Sequence, residues 1–205
     1  MANRIRAVIW DMGGVILRTH GDEARQKLAD EFHVSLEQLY TLVFDSPSAE
    51  KATVGLISET DHWNAVADAL GTPRSRLQEL QDRFWAGDQV DKELIEFIKT
   101  LNKGYKTGLL SNAWSGARQS LNQRNACDTV FQYSMFSCEV RLRKPDARIY
   151  QRMLDLMEVK ADETIFVDDL VENVTGANAV GIHGIQFKAT KQAIADVNNL
   201  LAALQ

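Results

Sequence analysis

The chain has 205 residues, of which 45% are hydrophobic and 25% are charged, and its formal net charge at pH 7 is −5. This composition predicts a globular protein with one large domain, or one domain with an inserted subdomain. The acidic balance gives no support for a nucleic-acid or membrane partner, and no apolar run approaches the length of a transmembrane helix.

The first predicted element is a buried strand, Ile5–Trp10, which runs directly into Asp11. Gly13 and Gly14 follow the aspartate, and a second apolar run then resumes at Val15. In a parallel sheet, such a strand delivers a carboxylate to the carboxyl edge of the sheet. The glycines let the backbone turn sharply and come close to a ligand.

The segment from about Asp22 to Gly87 contains no good strand and shows helical periodicity. Ser35 and Ser58 suit helix N-caps, and Pro73 suits the start of a helix. We therefore predict a helical insert at residues 19–89 and a core domain made of residues 1–18 and 90–205. The predicted helices of the insert are Glu23–Phe32, Ser35–Phe44, Glu59–Leu70 and Arg74–Trp85.

Beyond the insert, apolar runs alternate with helical patterns, which predicts a parallel sheet with helices on both faces. The predicted strands are Lys106–Leu110, Thr164–Val167, His183–Phe187 and a weaker run at Gln132–Ser137. The predicted helices are Lys92–Leu101, Ser115–Arg124, Asp146–Met157, Asn173–Val180 and Lys191–Leu201.

Polar residues follow several of these apolar runs or precede a helix. In chain order they are Asp11, Ser111 with Asn112, Lys144 before Pro145, and Asp168 with Asp169. Each has an ordinary alternative: the aspartates, serine and asparagine as caps, and the lysine as a solvated side chain. The ends of parallel strands, however, converge on one crevice. There the set offers a nucleophile, an anion-binding hydroxyl, a neutralising lysine and hard oxygen ligands for Mg²⁺, which favours phosphoryl transfer.

With these motifs in this order, the chain resembles the haloacid dehalogenase (HAD) superfamily of hydrolases over nearly its whole length. The segment from Phe166 to Asn173, followed by Ala177 and Gly181, is similar to a capped branch of that superfamily. This branch contains sugar-phosphate phosphatases and the phosphatase domain of epoxide hydrolase. The resemblance implies an α/β fold, with a Rossmann-like three-layer parallel-sheet core and a helical cap inserted after the first strand.

The resemblance also implies an activity, namely Mg²⁺-dependent hydrolysis of small phosphorylated metabolites such as sugar phosphates. Asp11 would attack phosphorus and form an aspartyl-phosphate. Ser111 would hydrogen-bond the transferring phosphoryl group, and Lys144 would neutralise charge on that group and on the nucleophile. Met12 and the backbone N–H of Asn112 would contribute to substrate binding.

For the metal, the resemblance implies that Asp11, Asp169 and the backbone carbonyl of Gly13 bind Mg²⁺. Asp168 would lie outside this ligand set and orient Lys144 or a metal-bound water. Asn173 stands where many relatives carry another acid, which makes Asp169 the stronger metal candidate.

Gly13 departs from the family pattern. Most phosphatases of the superfamily carry a second aspartate there, which protonates the leaving group and then activates the hydrolytic water. Glycine can do neither, and losing a general acid–base typically costs ~10²–10⁴-fold in rate. His20, near Asp22 in the loop that leads into the insert, is one replacement, since imidazole titrates near neutrality. A leaving group that departs unprotonated, as from an anomeric or acyl phosphate, is the other.

Two alternatives to a phosphatase stay open. One is a 2-haloacid dehalogenase, in which Asp11 displaces halide. Such enzymes need no metal and usually lose the paired acids that this chain keeps at Asp168 and Asp169. The other is a catalytically silent relative that binds a phosphorylated ligand or a protein, although retention of the nucleophile, serine, lysine and acid argues against decay.

Side chains that select the substrate are expected in the insert, although aromatic residues there are more often core and arginines more often solvated. The candidates are Trp63, Arg74, Arg76, Arg83 and Trp85, with Trp114 of the core as a further pocket residue. Two cysteines, Cys127 and Cys138, are too few for a disulfide scaffold, and the short apolar segment beside Arg4 is no secretory leader. A reduced, cytoplasmic setting and a monomer or homodimer are expected.

Overall fold

The computed structural model describes residues 4–204. Its strands are β1 (Ala7–Trp10), β2 (Leu17–Thr19), β3 (Asp88–Val90), β4 (Lys106–Ser111), β5 (Tyr133–Phe136), β6 (Thr164–Asp168) and β7 (His183–Gln186). Five of them form the parallel sheet that the sequence predicts, and the structure shows their order to be β5-β4-β1-β6-β7. The weakly marked run at 132–137 is confirmed as the edge strand β5.

The helices are α1 (Glu23–Glu31), α2 (Leu36–Phe44), α3 (Pro47–Thr53), α4 (Glu59–Ala69), α5 (Leu77–Phe84), α6 (Lys92–Leu101), α7 (Ala117–Gln123), α8 (Ser137–Val140), α9 (Ala147–Met157), α10 (Val171–Ala179) and α11 (Thr190–Ala203). None of the helices within residues 4–204 combines the length and the apolar character that a membrane span requires.

Strand β1 lies at the centre of three layers because all four of its side chains are apolar and buried. Val8 and Trp10 pack on one side of the sheet, in a cluster that includes residues of α6, α7 and α11. Ala7 and Ile9 pack on the other side, mainly against α9. A strand covered on both faces reads as an unbroken apolar run, which is why the sequence predicts it clearly.

The insert between β2 and β3 consists of α1 to α5 and has an apolar cluster of its own. Ser35 and Ser58 are confirmed as N-caps, since each accepts the backbone N–H three residues later in a complete capping box. The fold prediction is thus confirmed. The domain boundaries at 18/19 and 89/90 stay a prediction, and residues 1–3 of the predicted core lie outside the described part of the chain.

The structure adds elements that the sequence did not predict. Strands β2 and β3 form an antiparallel pair where the chain enters and leaves the insert. Helices α3 and α8 are also new, and the predicted helix at 74–85 begins with a separate 3₁₀ turn at Arg74–Arg76. These elements have only three to seven residues each, too few for a periodic pattern to show.

Candidate active site

Three neighbouring strands carry polar residues at their carboxyl ends. Asp11 follows β1, Ser111 ends β4 and Asp168 ends β6, and β1 lies between the other two. Because parallel strands end at the same edge, these side chains share one crevice. The expectation that the separate motifs converge is therefore met by the sheet itself.

Lys144 is the centre of this crevice. Only 1% of its surface is exposed, and its Nζ lies 2.7 Å from Asp11 Oδ1 and 2.6 Å from Asp168 Oδ2. The Asn112 side chain holds the lysine backbone: Oδ1 accepts the Lys144 N–H at 2.8 Å, and Nδ2 donates to the Lys144 carbonyl at 2.9 Å. The alternative of a solvated lysine is wrong.

Asp168 is fully buried, and both of its oxygens accept hydrogen bonds from the protein. In addition to Lys144, it binds Asn173 Nδ2 at 3.0 and 3.1 Å and the Leu170 N–H at 2.9 Å. These donors occupy most of the acceptor capacity of the carboxylate. Asp168 is thus arranged to hold the lysine rather than an added ligand.

Asp169 differs from its neighbour. It is only partly buried, and within residues 4–204 no side chain donates a hydrogen bond to its carboxylate. One oxygen lies 2.1 Å from the point where a Cβ on Gly14 would stand, and Gly14 has φ +74°. Glycine at position 14 therefore lets this carboxylate lie against the loop after β1.

The crevice carries more negative than positive charge. Burial raises the pKa of Asp11, which Lys144 opposes and the charge of Asp168 reinforces. Burial and Asp168 together raise the pKa of Asp169 as well. Oxygen atoms of these three carboxylates lie within 4.8 Å of one another. Closely spaced hard oxygens with excess negative charge fit a small divalent cation such as Mg²⁺.

Ser111 and the loop after Asp11 complete the crevice. Ser111 is 1% exposed, and its hydroxyl has no hydrogen-bond partner among residues 4–204. The carbonyl of Met12 accepts the N–H groups of Ile16 and Leu17, both at 2.8 Å, which winds the loop tightly. Gly13 is exposed, and a Cβ there would meet no atom within 4 Å. Packing therefore does not require a glycine at position 13.

The substrate-facing candidates of the insert lie elsewhere. Trp63 is fully buried in the insert's own apolar cluster, against which Trp85 and Trp114 also pack. The three arginines form ion pairs on the surface of the insert: Arg74 with Asp68, Arg76 with Glu31 and Glu79, and Arg83 with Glu31 and Glu79. These arginines thus correspond to the solvated alternative.

His20, the other sequence candidate, is an exposed loop residue whose backbone N–H donates to the Gly87 carbonyl at 3.0 Å. No hydrogen bond of its imidazole is found within the described range, 4–204. The contacts among residues 4–204 therefore do not tie His20 to the crevice.

Sequence reasoning missed two positioning side chains. Asn112 was considered for its backbone N–H, whereas its amide clamps Lys144 from 32 residues away. Asn173 was considered as a missing acid, whereas it donates to Asp168, and its own carbonyl accepts the Tyr150 hydroxyl at 2.8 Å. Its place one turn beyond the acid pair is the signal that could have indicated this contact.

Fold and crevice together define an α/β protein with a carboxylate and lysine centre at the edge of its parallel sheet and a helical insert between β2 and β3. The family model for haloacid dehalogenase-like hydrolases matches residues 5–181 of the sequence. The chain therefore belongs to this family. The resemblance inferred from the motifs is thereby confirmed.

Three similar proteins illustrate the range of the family. A sesquiterpene phosphatase of Aspergillus oryzae is 27% identical over 91% of this chain and 92% of its own length. An (S)-2-haloacid dehalogenase of Burkholderia cepacia is 28% identical over 91% and 84%. A HAD family enzyme of Bacteroides thetaiotaomicron, crystallised with magnesium and inorganic phosphate, superposes with a TM-score of 0.75 over 90% of this chain and 95% of that chain, at 19% identity.

Proposed function

We propose that this protein is a Mg²⁺-dependent phosphatase of small phosphorylated metabolites, with sugar phosphates as the first class to test. One observation carries the proposal: Lys144 is buried between Asp11 and Asp168, beside the carboxylate of Asp169, which receives no side-chain hydrogen bond from residues 4–204. A nucleophile, a fixed counter-charge and a free hard ligand are what phosphoryl transfer requires.

Asp11, Asp169 and the Gly13 carbonyl are the groups we assign to Mg²⁺. When bound, the ion would neutralise developing charge on the phosphoryl oxygens and on the carboxylates. The hydrogen bonds of Asp168 explain why it is left out of this set, and its role is to hold Lys144.

The reaction assigned to these residues has two steps. In the first, an oxygen of Asp11 attacks phosphorus, the bond to the leaving oxygen breaks, and an aspartyl-phosphate forms. In the second, water attacks the same phosphorus and releases inorganic phosphate and the free carboxylate. Ser111 donates its hydroxyl to a phosphoryl oxygen, with the backbone N–H groups of Met12 and Asn112, while Lys144 offsets the added negative charge.

Gly13 sets the expected substrate preference. Without an acid at this position, the leaving oxygen departs without a proton from the loop after β1. Anomeric and acyl phosphates have good leaving groups and should therefore react faster than simple alkyl phosphates. Because one relative is a sesquiterpene phosphatase, a terpenyl phosphate belongs beside the sugar phosphates in the test panel.

The dehalogenase relative supports a second candidate, in which Asp11 displaces halide from a 2-haloacid. The two candidates differ in their need for metal. The proposed phosphatase requires Mg²⁺, which Asp169 would bind. Halide displacement by Asp11 requires no metal, so Asp169 would have no role in it. Halide release from 2-chloropropionate that is unchanged by EDTA would favour the dehalogenase.

The deciding experiment measures phosphate release from this panel with Mg²⁺, with EDTA, and by the Asp11→Asn variant. We expect activity with Mg²⁺ alone, and a loss of at least about 10³-fold in the variant. Equal turnover with EDTA would refute the metal assignment. Activity that survives Asp11→Asn unchanged would eliminate the mechanism, and beryllofluoride binding to the native chain checks that Asp11 can be phosphorylated.

A further inference from the structure

The loop that follows Ser111 and Asn112 belongs to the core and packs against the insert. Trp114 packs against the apolar cluster of α1 to α5, with its ring centroid 4.4 Å from that of His62. Its Nε1 donates to Thr53 Oγ1 at 3.2 Å, and its ring stacks on Phe44 at 6.1 Å. A residue of the core domain thus completes the hydrophobic cluster of the insert.

Two hydrogen bonds join the next residues of the loop to the first residue of α4. The Glu59 Oε2 atom accepts the Gly116 N–H at 2.7 Å, and the Glu59 N–H donates to Ser115 Oγ at 3.1 Å. The carboxylate lies 2.2 Å from the place where a Cβ on Gly116 would stand. The loop and the helix terminus therefore bind each other reciprocally, through one charged and one neutral hydrogen bond.

A second set of contacts between the core and the insert lies beside the contacts of Trp114, Ser115 and Gly116. Ser137 is fully buried; its Oγ accepts the Ala113 N–H at 2.9 Å and lies 2.6 Å from the Thr53 carbonyl, to which it donates. Gly55 has φ +66°, and a Cβ there would stand 2.1 Å from the carbonyl oxygen of Cys138. Only glycine allows the two backbones to approach so closely.

The insert is consequently attached to the core at two places. The first attachment is covalent, where the chain enters and leaves the insert through β2 and β3. The second is non-covalent, where residues 113–116 and 137–138 of the core contact α3 and α4 of the insert. The insert cannot swing away as a rigid body while these contacts persist. We call the contacts of Trp114, Ser115 and Gly116 with Thr53 and Glu59 the cap lock.

We propose that the cap lock positions residues 111–113, which we call the catalytic loop, and that Glu59 and Trp114 are positioning residues of the active site. The path is short: only Ala113 separates Asn112 from the first locked residue, Trp114, and the amide of Asn112 clamps the backbone of Lys144. Seating of the insert is thereby coupled to the placement of Ser111 and Lys144. The coupling to rate rests on the proposed phosphatase function, whereas the lock itself does not.

The test uses Glu59→Ala, which removes the acceptor of the Gly116 N–H, and Glu59→Gln, which keeps one. Glu50→Ala is the matched control, because Glu50 is an exposed acid in the first turn of the neighbouring helix α3. Ser115→Ala removes the hydroxyl that accepts the Glu59 N–H. It replaces Glu59→Ala in the test if that variant folds poorly. Hydrogen exchange at the Gly116 and Glu59 amides is measured beside kcat and KM for p-nitrophenyl phosphate with Mg²⁺.

In Glu59→Ala we expect the Gly116 amide to exchange about tenfold faster or more, since a charge-assisted hydrogen bond is lost. We expect kcat to fall about tenfold, with KM changed less than about twofold, because the catalytic groups are misplaced rather than removed. Glu59→Gln should restore most of both values, and Glu50→Ala should match the native chain.

Two results would overturn the proposal. Gly116 exchange within about twofold of the native rate in both Glu59→Ala and Ser115→Ala would show that no lock exists. Faster exchange with an unchanged kcat would show that the lock does not act on the catalytic loop. If the native chain hydrolyses no phosphate ester, the proposed function fails, and the exchange rates still decide whether the lock exists.

Discussion

Arg25 in the insert and Lys144 in the core are both buried cations, with 4% and 1% of their surfaces exposed. Arg25 donates to Asp88 at 2.8 Å, to the Tyr40 hydroxyl at 2.8 Å and to the Phe84 carbonyl at 3.1 Å. One acid balances one base, and the guanidinium also lies over the Phe84 ring, 4.5 Å from its centroid.

The cluster around Lys144 is not balanced in this way. Three carboxylates share one ammonium group, and Asp169 has no side-chain donor among the described residues 4–204. A buried ion pair whose two partners are hydrogen-bonded contributes to the fold and needs no further ligand. A cluster with surplus negative charge is stable only if protons or a cation relieve it. On this difference in charge, we interpret the Arg25–Asp88 pair as a contact that stabilises the fold and the cluster around Lys144 as a candidate ligand site.

The largest effect should come from removing each cation in turn. Arg25→Met leaves Asp88 buried without its base and should lower the free energy of unfolding by about 3–5 kcal/mol. Lys144→Met should lower it less, because Asp11, whose pKa is already raised, can take up a proton. Activity should show the reverse order, with a loss of at least about 10³-fold only in Lys144→Met.

Urea unfolding and kcat per folded molecule measure these two effects. Arg25→Lys is the control for the insert, since it keeps the charge while losing the planar hydrogen-bonding fork. A Lys144→Met variant that keeps more than about a tenth of the native kcat would contradict the assignment of Lys144 to the reaction.

The second prediction concerns Mg²⁺ itself. At about 100 times its dissociation constant, the ion should raise the free energy of unfolding by about 2.7 kcal/mol. Asp169→Asn should abolish this increase, while Glu172→Gln, a nearby exposed acid outside the cluster, should keep it. Thermal unfolding with Mg²⁺ and with EDTA measures both. An undiminished increase in Asp169→Asn would place the metal elsewhere.

The sequence could predict the cluster because its members end parallel strands or precede a helix, and long apolar runs mark such strands. Only the family resemblance distinguished Asp169 from Asp168 as the metal ligand; the physical reason lies in Asn173 and in donors that only the folded chain brings together. The short strands β2 and β3 were missed for a related reason. Each has three residues, and Leu17–Thr19 and Asp88–Val90 mix polar and apolar side chains without a usable pattern.

The third prediction adds the missing acid to the unbalanced cluster. Because a Cβ at Gly13 meets no atom within 4 Å, Gly13→Asp should fold normally. It should raise kcat/KM for alkyl phosphates about tenfold or more and leave an aryl phosphate nearly unchanged, since only the poor leaving group needs a proton. Gly13→Asn has the same size without the acid and should give no gain. Equal gains in both variants would argue against proton donation.

The smallest effect concerns His62, a buried titratable side chain of the insert that belongs to no ion pair among residues 4–204. Its Nδ1 lies 2.9 Å from Ser48 Oγ, and burial lowers the pKa of the imidazole. The unfolded chain therefore binds a proton more readily than the folded chain below the ordinary histidine pKa of about 6.5. Stability should therefore fall as pH decreases through that value.

Urea unfolding at pH 7.5 and at pH 5.5 measures this effect in the native chain and in His62→Asn, which retains a group able to bond Ser48. The variant should lose less stability on acidification than the native chain, even if its stability at pH 7.5 is lower. An equal loss in both would mean that the imidazole is protonated inside the insert. In that case the balanced cluster around Arg25 would have to tolerate a second buried cation close to Trp114, and the contrast between the two regions would not hold.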